Sequence, residues 1–181
     1  MEESSRFLSL SGLSGIFAGL LAISGWIIAQ FVIMKDNQDI EVVKLHLIAV
    51  ALTVLILALA GGFYFSIRKA GSKGQKIWTP VSRRLLLNLL IPLISGAFFI
   101  LILYIDNQFQ LIVPSMLIFY GLALVNAGKF TYSEVFYLGL LELLTGFLAC
   151  IFQGNPFLFW VLGFGCLHII YGIVMYRKYQ G

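Results

Sequence analysis

The chain has 181 residues, 60% of them hydrophobic and 11% charged, with a mean hydropathy of +0.97 and a net charge of +4. A soluble domain carries about 25% charged residues, so a water-facing surface cannot be built from this composition and the apolar surface must face lipid. No polar stretch is long enough for a separate soluble domain, and residues 1–181 read as a single transmembrane domain. The positive charge does not imply nucleic acid, because the basic residues flank apolar segments, where membrane topology explains them.

The chain opens on MEESSR and continues as an apolar run from Phe7 to Met34. A signal peptide has a basic start and an apolar core of about 7–15 residues. Here the start carries Glu2 and Glu3 and the run is too long, so it reads as a retained transmembrane helix. A span needs about 20 mostly apolar residues. Six segments meet or approach that length: 7–34, 42–67, 83–104, 111–127, 134–152 and 157–176, the fourth being short. Lipid cannot satisfy exposed peptide groups, so spans are helices or closed barrels. Long apolar runs without strict alternation mean helices. The expected fold class is therefore all-α, a polytopic membrane protein of six transmembrane helices in three hairpins.

The connections alternate in charge. KDNQDIE (35–41), IDNQFQ (105–110) and QGNP (153–156) are acidic or neutral, whereas RKAGSKGQKIWTPVSRR (68–84), AGKFT (127–131) and the tail RKYQG are basic. Arg6, Arg68, Lys69, Lys73, Lys76, Arg83, Arg84, Lys129, Arg177 and Lys178 fall on one side, and only Lys35 and Lys44 on the other. That split predicts both termini in the cytoplasm. Aromatic residues mark the two interfaces: Trp26, Phe31, Phe157, Phe159 and Trp160 on the outer side, Phe63, Tyr64, Trp78, Tyr132, Tyr176 and Tyr179 on the inner. Loop 68–82 is basic enough to touch anionic lipid head groups.

The last four helices contain a weak repeat. At an offset of fifty residues, LLIPLISG (89–96) lies over GLLELLTG (139–146), and at fifty-one IFYG (118–121) lies over IIYG (169–172). This suggests a duplicated hairpin, 83–128 and 133–178, against a null of chance apolar similarity. The alignment sets Pro92, which removes a helical hydrogen bond and tends to kink a helix, opposite Glu142.

Glu142 is the residue that most needs explaining. It lies about 12 Å above the cytoplasmic end of its helix, and His168 lies at the same height on the returning helix. A short loop makes these helices neighbours, so the two side chains are placed to meet. Tyr120 falls at a similar level, Tyr171 one turn below His168, and Asn88 nearer the cytoplasm. Gly139, Glu142, Thr145, Gly146 and Ala149 share one face of the fifth helix, and Ser11, Gly15, Ala18, Ala22, Gly25 and Ala29 form a small-residue stripe on the first. Small residues let helices approach, which serves packing within the bundle or between protomers.

A charged side chain at a helix centre costs about 2.5–3.5 kcal/mol on insertion scales. Glu142 escapes this by carrying a proton, by pairing with His168 or by facing water. The functional alternative is a proton-labile or cation-contacting group. The structural one is a neutral carboxyl hydrogen-bonded to Thr145 or Tyr120, and a lone histidine such as His168 is more often a satisfied core residue.

No zinc cluster, HExxH, GxSxG or phosphate loop is present. His46 lies about 10 Å from the level of His168, too far for haem ligation from both faces. Cys150 and Cys166 read as two free thiols, and no cofactor or metal is expected.

RFLSLSGLSGIFAG (6–19) and RRLLLNLLIPLISG (83–96) resemble segments of small, uncharacterised bacterial polytopic integral membrane proteins. The resemblance implies a bacterial inner-membrane location and brings no activity or catalytic residues with it. Three functions compete. One is a small transporter or channel-like protein with Glu142, His168, Tyr120, Asn88, Thr145 and Tyr171 around a cavity open to the cytoplasm. The second is a non-catalytic partner or sensor subunit, or a homo-oligomer, whose polar layer specifies packing. The third, a lipid-modifying enzyme, ranks last because no reactive constellation is visible.

Overall fold

The computed structural model describes residues 10–33, 39–72 and 78–179. These residues form six helices long and apolar enough to cross a membrane, and no strand. They are α1 (Gly12–Ile33), α2 (Ile40–Ser72), α3 (Pro80–Ile105), α4 (Ile112–Ala127), α5 (Ser133–Ile151) and α6 (Pro156–Tyr179). The fourth run, short in the sequence, is lengthened by a 3₁₀ turn at each end into the segment Phe109–Phe130.

Local chemistry sets the helix ends. Thr79 caps α3 in a reciprocal pair with Ser82, with Pro80 as the first helical residue, where its missing N–H is not needed. The Asn155 side chain accepts from Leu158 N at the start of α6, again just before a proline. The α3–α4 turn passes through Asn107 with φ of 58°, a left-handed conformation that asparagine tolerates. The helix runs unbroken through Pro92.

Two helices exceed their expected bounds. The 33 residues of α2 span about 50 Å, against a hydrocarbon core of about 30 Å. Arg68 and Lys69 are therefore helical rather than in a loop, and Arg83 and Arg84 belong to the first turns of α3. Lys73 and Lys76, half of the basic set expected to meet lipid head groups, lie outside the described residues. Lys69 turns inward: it is 8% exposed, and its ammonium donates to Leu10 O at 2.5 Å and to the Tyr132 hydroxyl at 3.3 Å.

Glycine contacts assemble the bundle. α1 and α6 run antiparallel, with Gly12 against Gly172 and Tyr176, Gly19 against Gly165, and Trp160 Nε1 donating to Ala22 O. The start of α1 and the end of α6 thus share one end of the bundle, here called the terminal end. A Cβ on Gly172 would fall 2.5 Å from Ile16 N and 2.6 Å from Gly12 O, so only hydrogen fits between the two backbones. Gly121 of α4 and Gly139 of α5 meet equally closely, each Cβ position 2.8 Å from the other's carbonyl oxygen. The small-residue stripe of α1 thus packs inside the bundle, Gly15, Ala22, Gly25 and Ala29 being buried. α2 packs on α1, α3 packs on α4 and its flanking 3₁₀ turns, and α2 and α3 do not pack closely against each other.

Candidate functional site

Three helices bring three polar side chains together in the middle of the bundle. Glu142 of α5 is 0% exposed and His168 of α6 is 6% exposed. Glu142 Oε1 lies 3.3 Å from His168 Nδ1. The other ring nitrogen, Nε2, lies 2.8 Å from the Tyr120 hydroxyl of α4, and the two rings stack. Among the described residues neither Glu142 oxygen has a hydrogen-bond partner. The expected structural alternative, a carboxyl bonded to Thr145 or Tyr120, is not what forms. Tyr120 bonds His168, and the Thr145 hydroxyl donates back to Leu141 O on its own helix.

The backbone of α6 makes the site possible. From Val161 to Leu167 it winds as a π-helix, a rare, wider turn concentrated at functional sites. Gly163 lies inside this segment. A Cβ there would come 2.6 Å from Glu142 Oε2 and 2.4 Å from Leu117 Cδ2, so the carboxyl group lies directly against the α6 backbone. The Gly163 carbonyl oxygen also stands 3.2 Å from His168 Nδ1. One glycine therefore admits the carboxylate and supplies the second neighbour of the imidazole.

The ring can be protonated in two ways. With the proton on Nδ1, His168 donates toward Gly163 O and Glu142, and Nε2 accepts from Tyr120. With the proton on Nε2, His168 donates to the Tyr120 oxygen and Nδ1 accepts from a protonated Glu142. In the second state Nδ1 and the Gly163 carbonyl are two acceptors 3.2 Å apart, which repel. The location of one proton is thus tied to the shape of the π segment.

The other expected residues stand apart. Asn88 Nδ2 donates to Arg84 O on its own helix, and α3 does not reach the carboxyl–imidazole pair. Tyr171 and Tyr120 both pack on the cluster of Leu124, Tyr132, Val135, Leu138 and Met175. That cluster fills the bundle toward the terminal end, where an opening to the cytoplasm was expected, and Glu142 is sealed from that side. Ser95 and Thr145, aligned in the repeat, behave alike: each hydroxyl donates to the carbonyl four residues back.

Toward the other end, Trp160, Phe164 and His168 line up along α6, with ring centroids 5.0 Å and 6.2 Å apart. Beyond Trp160 lies an apolar cleft of about 330 Å³. The sequence marked Trp160 as an interfacial aromatic and gave no sign of the cleft and only one of the π segment. Paired glycines, Gly163 and Gly165, are the trace of the latter.

A second polar group ties the terminal end. Lys178 Nζ and the Tyr179 hydroxyl donate to Glu134 Oε1 at 2.6 and 3.1 Å, and the Tyr179 ring lies tilted against Tyr132 with centroids 4.3 Å apart. Burial first, then nearby Tyr179 and Glu134, push the Tyr132 phenol up, so it stays neutral. Among the described residues no group of three or more His, Cys, Asp or Glu could hold a metal ion. No family model, curated protein or solved structure matches the chain.

Proposed function

We propose that the protein is a small proton-linked transporter or channel-like protein, with Glu142 as the proton-binding group and the His168–Tyr120 pair as its relay. The carrying observation is a fully buried carboxyl group, with no hydrogen-bond partner on either oxygen, 3.3 Å from an imidazole. Holding three helices together does not require such a pair, since replacing a buried ion pair as a whole by well-packed apolar residues is often neutral or stabilising. Intramembrane ionisable residues mark proton and ion pathways. The π segment beside it supplies a backbone that responds to where the proton sits. In this reading the helices form three hairpins, with both termini on the cytoplasmic side of a bacterial inner membrane.

The test is a pH-driven flux assay in proteoliposomes. The parent protein is expected to dissipate a pH gradient or couple it to solute entry, and Glu142→Gln to abolish this while the protein still folds. A parent protein with no flux at any pH rules out transport.

A second reading has one observation in its favour. The complete burial of Glu142 and the core cluster below it are what a packed, non-conducting layer in a membrane partner or sensor subunit requires. In that case Glu142→Gln leaves every flux unchanged and weakens assembly with the partner.

A further inference from the structure

The apolar cleft lies at the end of the bundle opposite the terminal end. Gly25, Trp26 and Ala29 of α1, Leu47 and Ala51 of α2, Val113 and Met116 of α4, and Trp160 of α6 contribute its walls. At about 330 Å³ it falls in the range of small-molecule sites, about 300–1,000 Å³. A bilayer-exposed apolar cleft of this kind admits hydrocarbon. Its rim is different in chemistry. Lys44 lines it, with its ammonium 4.5 Å from the centroid of the Phe109 ring, and Gln110 stands beside Phe109.

Lys44 is only partly committed. Among the described residues its one ion pair is with Glu41, three residues earlier on the same helix, at 2.7 Å, where the Lys44 side chain is 19% and the Glu41 side chain 66% exposed. Ion pairs one turn apart on a helix contribute only a few tenths of a kcal/mol, so this one holds Lys44 weakly. Trp26 and Trp160 place the cleft at the depth of a head-group boundary.

We infer that this cleft binds the acyl chain of an anionic lipid from the leaflet at that end, with Lys44 and the Gln110 amide meeting the head-group phosphate. The apolar walls suit a hydrocarbon chain, and among the described residues Lys44 is the one cation offered to a head group at an end whose other charges, Asp39, Glu41 and Asp106, are acidic. This inference stands apart from the proton site, since none of its residues belongs to the Glu142–His168–Tyr120 set.

Two of the three tryptophans, Trp26 and Trp160, line the cleft, and the third, Trp78, lies exposed near the start of α3. In a Trp78→Phe background, intrinsic fluorescence reports on the cleft. The experiment reconstitutes this protein in nanodiscs containing a small fraction of lipid with brominated acyl chains, either phosphatidylglycerol or phosphatidylcholine. The expected result is quenching at a fraction about fivefold lower for the anionic lipid. Lys44→Gln removes the preference, and Glu41→Gln, which frees Lys44, increases it. Ala51→Phe, which fills the cleft, reduces quenching by both lipids. Equal quenching by both lipids in the parent, or a preference that survives Lys44→Gln, overturns the inference.

Discussion

At the scale of single residues, Glu142 and His168 are unequal partners. Remove the carboxyl and His168 keeps both its other contacts, Tyr120 on Nε2 and Gly163 O on Nδ1. Remove the imidazole and both the Tyr120 hydroxyl and Glu142 lose it as a neighbour. Groups left buried and unpaired cost about 1–3 kcal/mol each, and removing one partner of a buried pair is costly where the other is left as an uncompensated charge; here His168 keeps its two other partners, while the unsatisfied carboxyl oxygens go. Glu142→Met should therefore hold or raise the thermal unfolding midpoint in detergent, and His168→Leu should lower it. A large loss from Glu142→Met would make the carboxyl group a structural tie and remove the reason for assigning it a proton. The meeting of Glu142 and His168 was legible in the sequence because both lie eight residues from helix ends of the same side, and helical rise converts that count into depth. Thr145 and Asn88 turn to their own helices for one reason. Mid-membrane hydroxyls and amides find an acceptor on their own helix, so sharing a face with a functional group does not draw them to it.

At the scale of helices, contact quality depends on what each glycine faces. Gly172 and Gly25 both belong to close contacts of α1, but their neighbours differ. A Cβ on Gly172 meets the backbone of α1 at Ile16 N and Gly12 O, which cannot move without separating the helices. A Cβ on Gly25 meets Val54 Cγ2 of α2 at 2.5 Å, the end of a side chain that can turn. Gly172→Ala is expected to cost about 1–3 kcal/mol, in the range for overpacking, and Gly25→Ala clearly less. Comparing the two unfolding midpoints in one detergent checks this, and equal losses would mean that the α1–α6 backbones are not in the contact described. Composition revealed the α1 stripe, since small residues at helical spacing have few other uses in lipid. It could not reveal which partner each glycine faces. Nor could apolar periodicity reveal the π segment of α6, which is a change in hydrogen-bond register that leaves a uniformly apolar run looking the same.

For the molecule as a whole, geometry sorts residues between two ends and the charge distribution predicts which end faces the cytoplasm. The antiparallel α1–α6 contact puts Gly12 and Tyr176 at the same end, and the alternation of six helices puts Lys129 there too, with Gln108 and Gly154 at the opposite end. Basic residues gather at the terminal end: Arg68, Lys69, Arg83, Arg84, Lys129, Arg177 and Lys178 among the described residues, against Lys44 at the other. Since basic flanks resist translocation, the terminal end should face the cytoplasm, and the cleft with Lys44 should face outward. Cys150 and Cys166 are the only cysteines, so Cys150→Ala with Cys166→Ala gives a background for site-directed labelling. On intact cells, a membrane-impermeant maleimide is expected to label Gln108→Cys and Gly154→Cys, and to label Lys129→Cys only after permeabilisation. Labelling of Lys129→Cys from outside, with protection of the other two, would invert the protein. The proton site would then lie the same distance from each surface as before, but the aromatic column Trp160–Phe164–His168 would lead from the cytoplasm, and the direction of any proton-coupled step would reverse with it.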